Sequence, residues 1–160
     1  MHIADFISPE RVVVRCQVGS KKRTLELVSG LIASAQPSLA DTEVFNCLVA
    51  RERLGSTGIG HGVAIPHGRL KVVDGPIAAF ASLEKGVEFD ALDGAPVDLV
   101  CALVVPAEST EEHLQLLASL AELFGDASLR ERLRKAATAA ELYALLSAKA
   151  VPPLRHAAGP

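Results

Sequence analysis

The 160-residue sequence has almost no net charge, only three cysteines and no long apolar run, and each shortage excludes a class of function. Sixteen basic and nineteen acidic side chains leave a formal charge of -3, which gives no general electrostatic reason to bind nucleic acid or an anionic membrane. No apolar run approaches the roughly 18 to 20 residues of a membrane helix. The first residues also lack the basic start and apolar core of a secretion signal. We therefore expect a cytoplasmic protein with no nucleic-acid binding and no membrane insertion.

The three cysteines, Cys16, Cys47 and Cys101, are odd in number, widely spaced and embedded in apolar stretches. A disulfide framework normally uses an even number of cysteines in an oxidising compartment. The pattern therefore indicates buried thiols in a reducing cytosol.

A chain of this length with 49% hydrophobic residues can bury a sizeable core, and one domain is the expected arrangement. We assign residues 1–150 to that domain. Residues 151–160 contain three prolines and one glycine without a regular apolar face, which predicts a mobile C-terminal tail.

Apolar residues follow strand and helix periods in alternation along the chain. The predicted strands cover residues 11–18, 63–65, 77–83, 86–89 and 97–105. The predicted helices begin after the capping residues Ser20, Asp41, Ser109 and Thr138, with a shorter helix over residues 128–136. Because strands and helices interleave, we expect an α/β fold with one mixed sheet and helices on both faces.

Residues 55–68 hold five of the twelve glycines, which suggests a loop shaped to admit a partner or an anion. The segment matches neither common nucleotide-binding loop. Val63 or Ile65 stands where the dinucleotide fingerprint needs its third glycine, and His61 and Gly62 replace the lysine and hydroxyl residue of a P-loop. The remaining alternatives are a functional loop of another kind and a plain turn between a helix and a strand.

His67 follows this loop, and Pro66 favours an extended Ile65, so the histidine is predicted at a strand end. An imidazole has an ordinary pKa near 6.5 and offers a neutral nitrogen nucleophile at physiological pH. Such a nitrogen can accept and return a phosphoryl group. The competing interpretation is a core histidine with both ring nitrogens hydrogen-bonded.

Phosphoryl transfer needs positive charge or hydrogen-bond donors around the phosphoryl oxygens. Arg51, Ser56 and Thr57 lie in or just before the glycine-rich loop and are candidates for this role. His113 is predicted in the first turn of a helix, where anions are favoured, and would act as a protonated or a neutral donor. Alternatively, Arg51 faces solvent and His113 only stabilises its helix.

A metal centre is a further alternative, because His61, His67 and His113, with Cys101 or Asp98, are side chains of the zinc-binding types. Their spacing matches no ordered ligand motif. We therefore predict neither a metal nor a cofactor.

Two stretches resemble the phosphorylation-site signature of the fructose and mannitol class of enzyme IIA domains in the bacterial phosphotransferase system. They are residues 51–60, RERLGSTGIG, and residues 64–68, AIPHG. Residues 89–99 and 103–107, continuing to His113, are most similar to the nitrogen-related branch of that class. The resemblance covers residues 11–148.

The resemblance implies that His67 accepts phosphate on Nε2 from a phosphohistidine of a small HPr-like carrier. Arg51, Thr57 and His113 would surround the acceptor, and the fold would contain a mixed five-stranded sheet. The branch implies a regulatory role in which phosphorylation controls binding to target proteins, with potassium transport or sensor proteins as candidates. The alternative within the same class is a sugar-uptake enzyme IIA that passes its phosphate to a IIB domain.

Overall fold

The computed structural model describes residues 3–148, and the predicted mobile tail at residues 151–160 lies outside this range. Its sheet is built from β1 (Val12–Cys16), β2 (Gly58–Gly60), β3 (Val63–Ala64), β4 (His67–Leu70), β5 (Ile77–Val87) and β6 (Val97–Pro106). The strand order is β1-β5-β6-β3-β2, and β4 also pairs with β6. The β5–β6 and β2–β3 pairs are antiparallel and the others are parallel, so the predicted mixed sheet is confirmed.

The sheet has six strands where five were expected, because β2 and β4 were not predicted and the strand predicted at residues 86–89 is part of β5. One strand position of the sheet is divided in two. β3 and β4 lie end to end along the same edge of β6, with Val63 opposite Leu99 and His67 opposite Leu103. Pro66 has no N–H to give to a ladder and interrupts the strand, although its carbonyl still accepts a bond from Leu103 N. The break places His67 at the first residue of a new strand.

Five helices cover the sheet. They are α1 (Lys21–Ala33), α2 (Asp41–Glu52), α3 (Thr110–Phe124), α4 (Ala127–Lys135) and α5 (Ala139–Ser147). Two single 3-10 turns, Ile3–Asp5 and Pro9–Arg11, precede β1. Among residues 3–148, no helix is long and apolar enough to cross a membrane.

The two faces of the sheet carry separate apolar cores. Successive residues of β6 alternate between them, as the two-residue period of a strand requires. Leu99 and Cys101 pack with residues of α3, α4 and α5. Val100 and Ala102 pack with residues of α1 and α2. Helices therefore cover both faces, as predicted.

Several local predictions need correction. Ser20 and Thr138 cap their helices through their side chains as expected, but Ala40 occupies the N-cap position before Asp41. Ser109 makes no side-chain cap bond. The separate strand predicted at residues 86–89 is the end of β5, since Val87 pairs with Val97 on β6.

The three cysteines are free thiols, but only one is fully buried. Burial in the core raises the pKa of Cys101 to about 12. Cys16 and Cys47 are half-buried, which corrects the expectation that all three thiols are enclosed.

Candidate functional site

His67 presents one particular ring nitrogen. Its Nδ1 lies 2.7 Å from the carbonyl oxygen of Ile65. A carbonyl oxygen only accepts hydrogen bonds, so Nδ1 carries the proton and Nε2 keeps its lone pair. Burial lowers the pKa of His67, and the nearby Arg51 cation lowers it further, against the opposing effects of the Ile65 bond and Glu52. The ring is therefore neutral at physiological pH, with Nε2 as the nucleophilic atom.

Arg51 contacts that same nitrogen. It lies in the last turn of α2, and its Nε donates to His67 Nε2 at 3.2 Å. Its Nη1 donates to the carbonyl oxygen of Gly55 at 2.8 Å, which fixes the guanidinium against the glycine-rich loop. A group that bonds to Nε2 must displace the Nε–H donor. The guanidinium, still bonded to the Gly55 carbonyl, then stands beside the incoming group with its Nε–H released.

His113 completes the cluster. It lies in the first turn of α3, and its ring stands edge-on to that of His67 with centroids 5.3 Å apart. His113 is only 8% exposed, and its Nε2 has no hydrogen-bond partner among residues 3–148. A buried ring nitrogen without a partner is uncommon in a folded protein, and this one lies next to the candidate nucleophile.

His113 is neutral in this environment. Burial, followed by the charges of His67 and Arg69, lowers the pKa of His113 to about 4. Of the two donor forms considered from the sequence, this lowered pKa favours the neutral one at physiological pH. A neutral imidazole still has one N–H to donate.

A pH titration of stability tests this environment. The unfolded chain protonates His113 near its ordinary pKa of 6.5, whereas the folded chain resists protonation until about 4, so stability must fall as the pH drops through that window. We expect the melting temperature of His113→Gln to fall less steeply than that of the wild type between these pH values. His61→Asn, in the exposed turn after β2, is the matched control and should follow the wild type. Parallel curves for all three proteins would contradict the assignment.

Ser56 and Thr57 direct their hydroxyls into the framework of the loop. Ser56 Oγ donates to the carbonyl oxygen of Phe89 at 2.6 Å and accepts from Gly58 N at 3.0 Å. Thr57 Oγ1 donates to the buried carboxylate of Glu52, which also accepts from Thr57 N at 2.9 Å. These bonds build the loop, and the role of the two hydroxyls as phosphate ligands stays a prediction.

Glu52 was not identified from the sequence. It is 8% exposed and sits at the last residue of α2, beside Arg51. An acidic residue in the last turn of a helix opposes the helix dipole, and this conflict was the available signal. The contact that explains Glu52 is its ion pair with Lys21 of α1, and the sequence pattern does not indicate that the start of α1 meets the end of α2.

An open depression of about 660 Å³ surrounds the cluster. Apolar side chains line it beside His67, Arg51 and His113: Ala50, Leu54, Leu114 and Leu117. Leu54 is 85% exposed and Leu114 is 68% exposed. Exposed apolar residues around polar groups are typical of protein–protein interaction sites.

The other metal-ligand candidates take separate positions. The backbone N–H of His61 donates to Asp93 Oδ2 at 2.9 Å, and Asp98 pairs with Arg134 at 3.0 Å. Cys101 lies in the core. Within residues 3–148, no three His, Cys, Asp or Glu side chains are arranged to hold a metal ion.

Comparison with known proteins identifies the family. The model of the phosphoenolpyruvate-dependent sugar phosphotransferase system EIIA 2 family matches residues 5–149. A nitrogen regulatory protein of Pseudomonas aeruginosa is 47% identical over 146 residues, which cover 91% of this chain and 95% of that protein. A fructose-specific EIIA component of the phosphotransferase system from Haloferax volcanii is 33% identical over 117 residues, covering 73% of this chain and 76% of that protein.

A solved structure extends the comparison to the fold. The crystal structure of nitrogen regulatory protein IIA-Ntr from Neisseria meningitidis is similar to this chain with a TM-score of 0.84 and 44% identity, covering 90% of this chain and 98% of that one. The chain therefore belongs to the EIIA 2 family of the phosphoenolpyruvate-dependent sugar phosphotransferase system and, within it, to the nitrogen-regulatory branch.

Proposed function

We propose that the chain is a phosphohistidine carrier that accepts a phosphoryl group on Nε2 of His67 from an HPr-like protein. The observation that carries this proposal is the bond between His67 Nδ1 and the Ile65 carbonyl. It fixes the proton on Nδ1 and leaves Nε2 as the nucleophile in a depression partly lined by apolar side chains. We place the reaction in the cytoplasm.

The transfer step balances without a metal or cofactor. The Nε2 lone pair of His67 attacks the phosphorus atom, and the bond from phosphorus to the donor histidine breaks. The electron pair of that bond returns to the donor ring. His67 retains its Nδ1 proton, so positive charge that develops on its ring is shared with the Ile65 carbonyl. Both partners are imidazoles, and positioning and electrostatics supply most of the catalysis.

Arg51 and His113 would surround the transferred group. Arg51 is displaced from Nε2 by the phosphorus atom and turns its donors toward the phosphoryl oxygens. His113 supplies a neutral ring nitrogen that has no other partner among the described residues. These contacts strengthen as the phosphoryl group arrives, which is the condition for lowering a barrier.

The proposed docking surface for the carrier is the apolar rim of the depression, formed by Ala50, Leu54, Leu114 and Leu117. Leu114→Gln should raise the KM for the phosphorylated carrier about tenfold, because an exposed apolar anchor at an interface contributes more than about 1 kcal/mol. The kcat should change little, since Leu114 touches no reacting atom. Leu92→Gln is the matched control, because Leu92 is 93% exposed but does not line the depression. Equal KM values for the two variants would remove the rim from the docking surface.

We further propose that the phosphoryl group is a signal. Phosphorylation adds about −1.5 to −2 charges in the depression and moves Arg51, so targets that bind the rim distinguish the two forms. Potassium transport or sensor proteins are candidate targets. The alternative is transfer to a sugar-specific IIB domain, which the similarity to a fructose-specific EIIA component favours.

One experiment separates these two outcomes. The phosphorylated protein is incubated with a fructose-type IIB domain, its membrane component and fructose, and its intact mass is followed over time. For the regulatory role we expect the phosphorylated mass to persist with and without fructose. Rapid loss of the phosphoryl group only when fructose is present would support the sugar-uptake alternative and contradict the regulatory role.

A further inference from the structure

Glu52 needs a positive partner. Its carboxylate is buried at the C-terminal end of α2, where two bonds from Thr57 satisfy only part of its capacity. Leaving a buried carboxylate without a counter-charge is costly. Lys21 supplies that charge, with its Nζ 2.9 Å from Glu52 Oε2.

Lys21 stands at an unfavourable place for its own helix. It is the first residue of α1, where the dipole disfavours a cation. Its ammonium reaches away from that helix to the Phe89 carbonyl at 3.3 Å and lies 3.6 Å from Asp90 Oδ2. It also lies 5.0 Å from the centroid of the Phe89 ring. Lys21 thus joins the start of α1, the end of α2 and the loop after β5.

The end of α2 and the turn after it hold the guanidinium of Arg51 on His67. Arg51 is the residue before Glu52, and the carbonyl that accepts its second bond belongs to Gly55. The Glu52–Thr57 bonds close the turn that contains Gly55 and directly follows Arg51. A carboxylate held by Lys21 therefore fixes the position from which Arg51 acts.

We propose that Lys21 is a positioning residue for phosphoryl transfer, acting through Glu52 to hold the guanidinium of Arg51 beside His67. The proposal rests on the proposed function of His67. Lys21 does not line the depression, so its effect falls on the transfer step and not on docking of the carrier. A misplacement of about 1 Å at a catalytic group can cost up to about 10²-fold in rate.

The test compares Lys21→Met, Lys21→Arg and the matched control Lys22→Met in phosphorylation by a purified phosphorylated HPr-like carrier. Lys22 is exposed and has no ion pair with a residue of the described chain. We expect Lys21→Met to lower kcat about tenfold with an unchanged KM. Lys21→Arg should restore most of the rate, and Lys22→Met should match the wild type. The nitrogen-15 resonance of His67 Nε2 should shift in Lys21→Met and stay in place in Lys22→Met.

Glu52→Gln gives a second, independent test, which also decides the matter should Lys21→Met fail to fold. It should lower kcat by a similar factor. Adding Lys21→Met to it should lower kcat little further, because both changes remove the same Lys21–Glu52 ion pair. A wild-type kcat in either folded single variant would overturn the positioning role while leaving phosphorylation of His67 intact. Failure of the wild type and Lys22→Met to take up phosphate would overturn the proposed function and this inference together.

Discussion

His67→Ala is expected to abolish phosphorylation of the chain by a phosphorylated HPr-like carrier. The substitution removes the imidazole whose Nδ1–H is fixed by Ile65 and whose ring lines the apolar depression, and the described neighbours offer no equivalent nucleophile. His113 does not replace it, because its Nε2 is enclosed. Intact-mass analysis should show one added phosphoryl group on the wild type and none on the variant.

The stability of the phosphorus–nitrogen bond in acid and in base supplies a second criterion for this result. A phosphohistidine is labile in acid and stable in base, so the added mass on the wild type should disappear after mild acid treatment. His61→Asn is the matched control: residue 61 has a φ of 58°, which asparagine tolerates, and the variant should be phosphorylated at the wild-type rate. Undiminished phosphorylation of His67→Ala would refute the account of the site.

Arg51→Lys is expected to slow phosphorylation on the order of 10²-fold, which is the usual cost of losing one preorganised donor to a developing charge. Arginine bonds His67 Nε2 and the Gly55 carbonyl at once, through two different nitrogens of a rigid fork. The single ammonium of lysine cannot hold both positions. The melting temperature should change little, because the helix and both apolar cores are untouched.

The control for this variant is Arg53→Lys, at an exposed position two residues further along the chain. It should keep the wild-type rate. A titration of the His67 ring adds an independent measure: since the Arg51 cation lowers the pKa of His67, Arg51→Ala should raise that pKa toward its ordinary value. Equal transfer rates for Arg51→Lys and Arg53→Lys would remove Arg51 from the site.

The local pattern of the sequence was sufficient for most of the helices and for the central strands. Residues such as Leu25 and Val28 in α1, or Leu142 and Leu146 in α5, recur at helical spacing and do pack inward. β2 was missed because Gly58–Gly60 has no strand propensity. β2 forms through its pairing with β3. A side chain at position 58 would collide with Ala91 in the neighbouring loop, so this position of the strand requires glycine.

The three central side chains of the site were also foreseen, but their supports were not. His67, Arg51 and His113 belong to residue types whose chemistry is apparent in isolation, and the structure brings them together. Glu52 and Lys21 have a role only through their contact with each other, across 31 positions of the chain. Such a contact follows from the packing of α1 against α2, which periodicity alone does not specify.

The most direct test of the central claim is phosphorus and nitrogen-15 NMR of the phosphorylated wild-type protein with labelled histidine. The account predicts a phosphorus–nitrogen coupling to Nε2 of His67, with Nδ1 still protonated and hydrogen-bonded to Ile65. A coupling to Nδ1 of His67, or to any other residue, would contradict it.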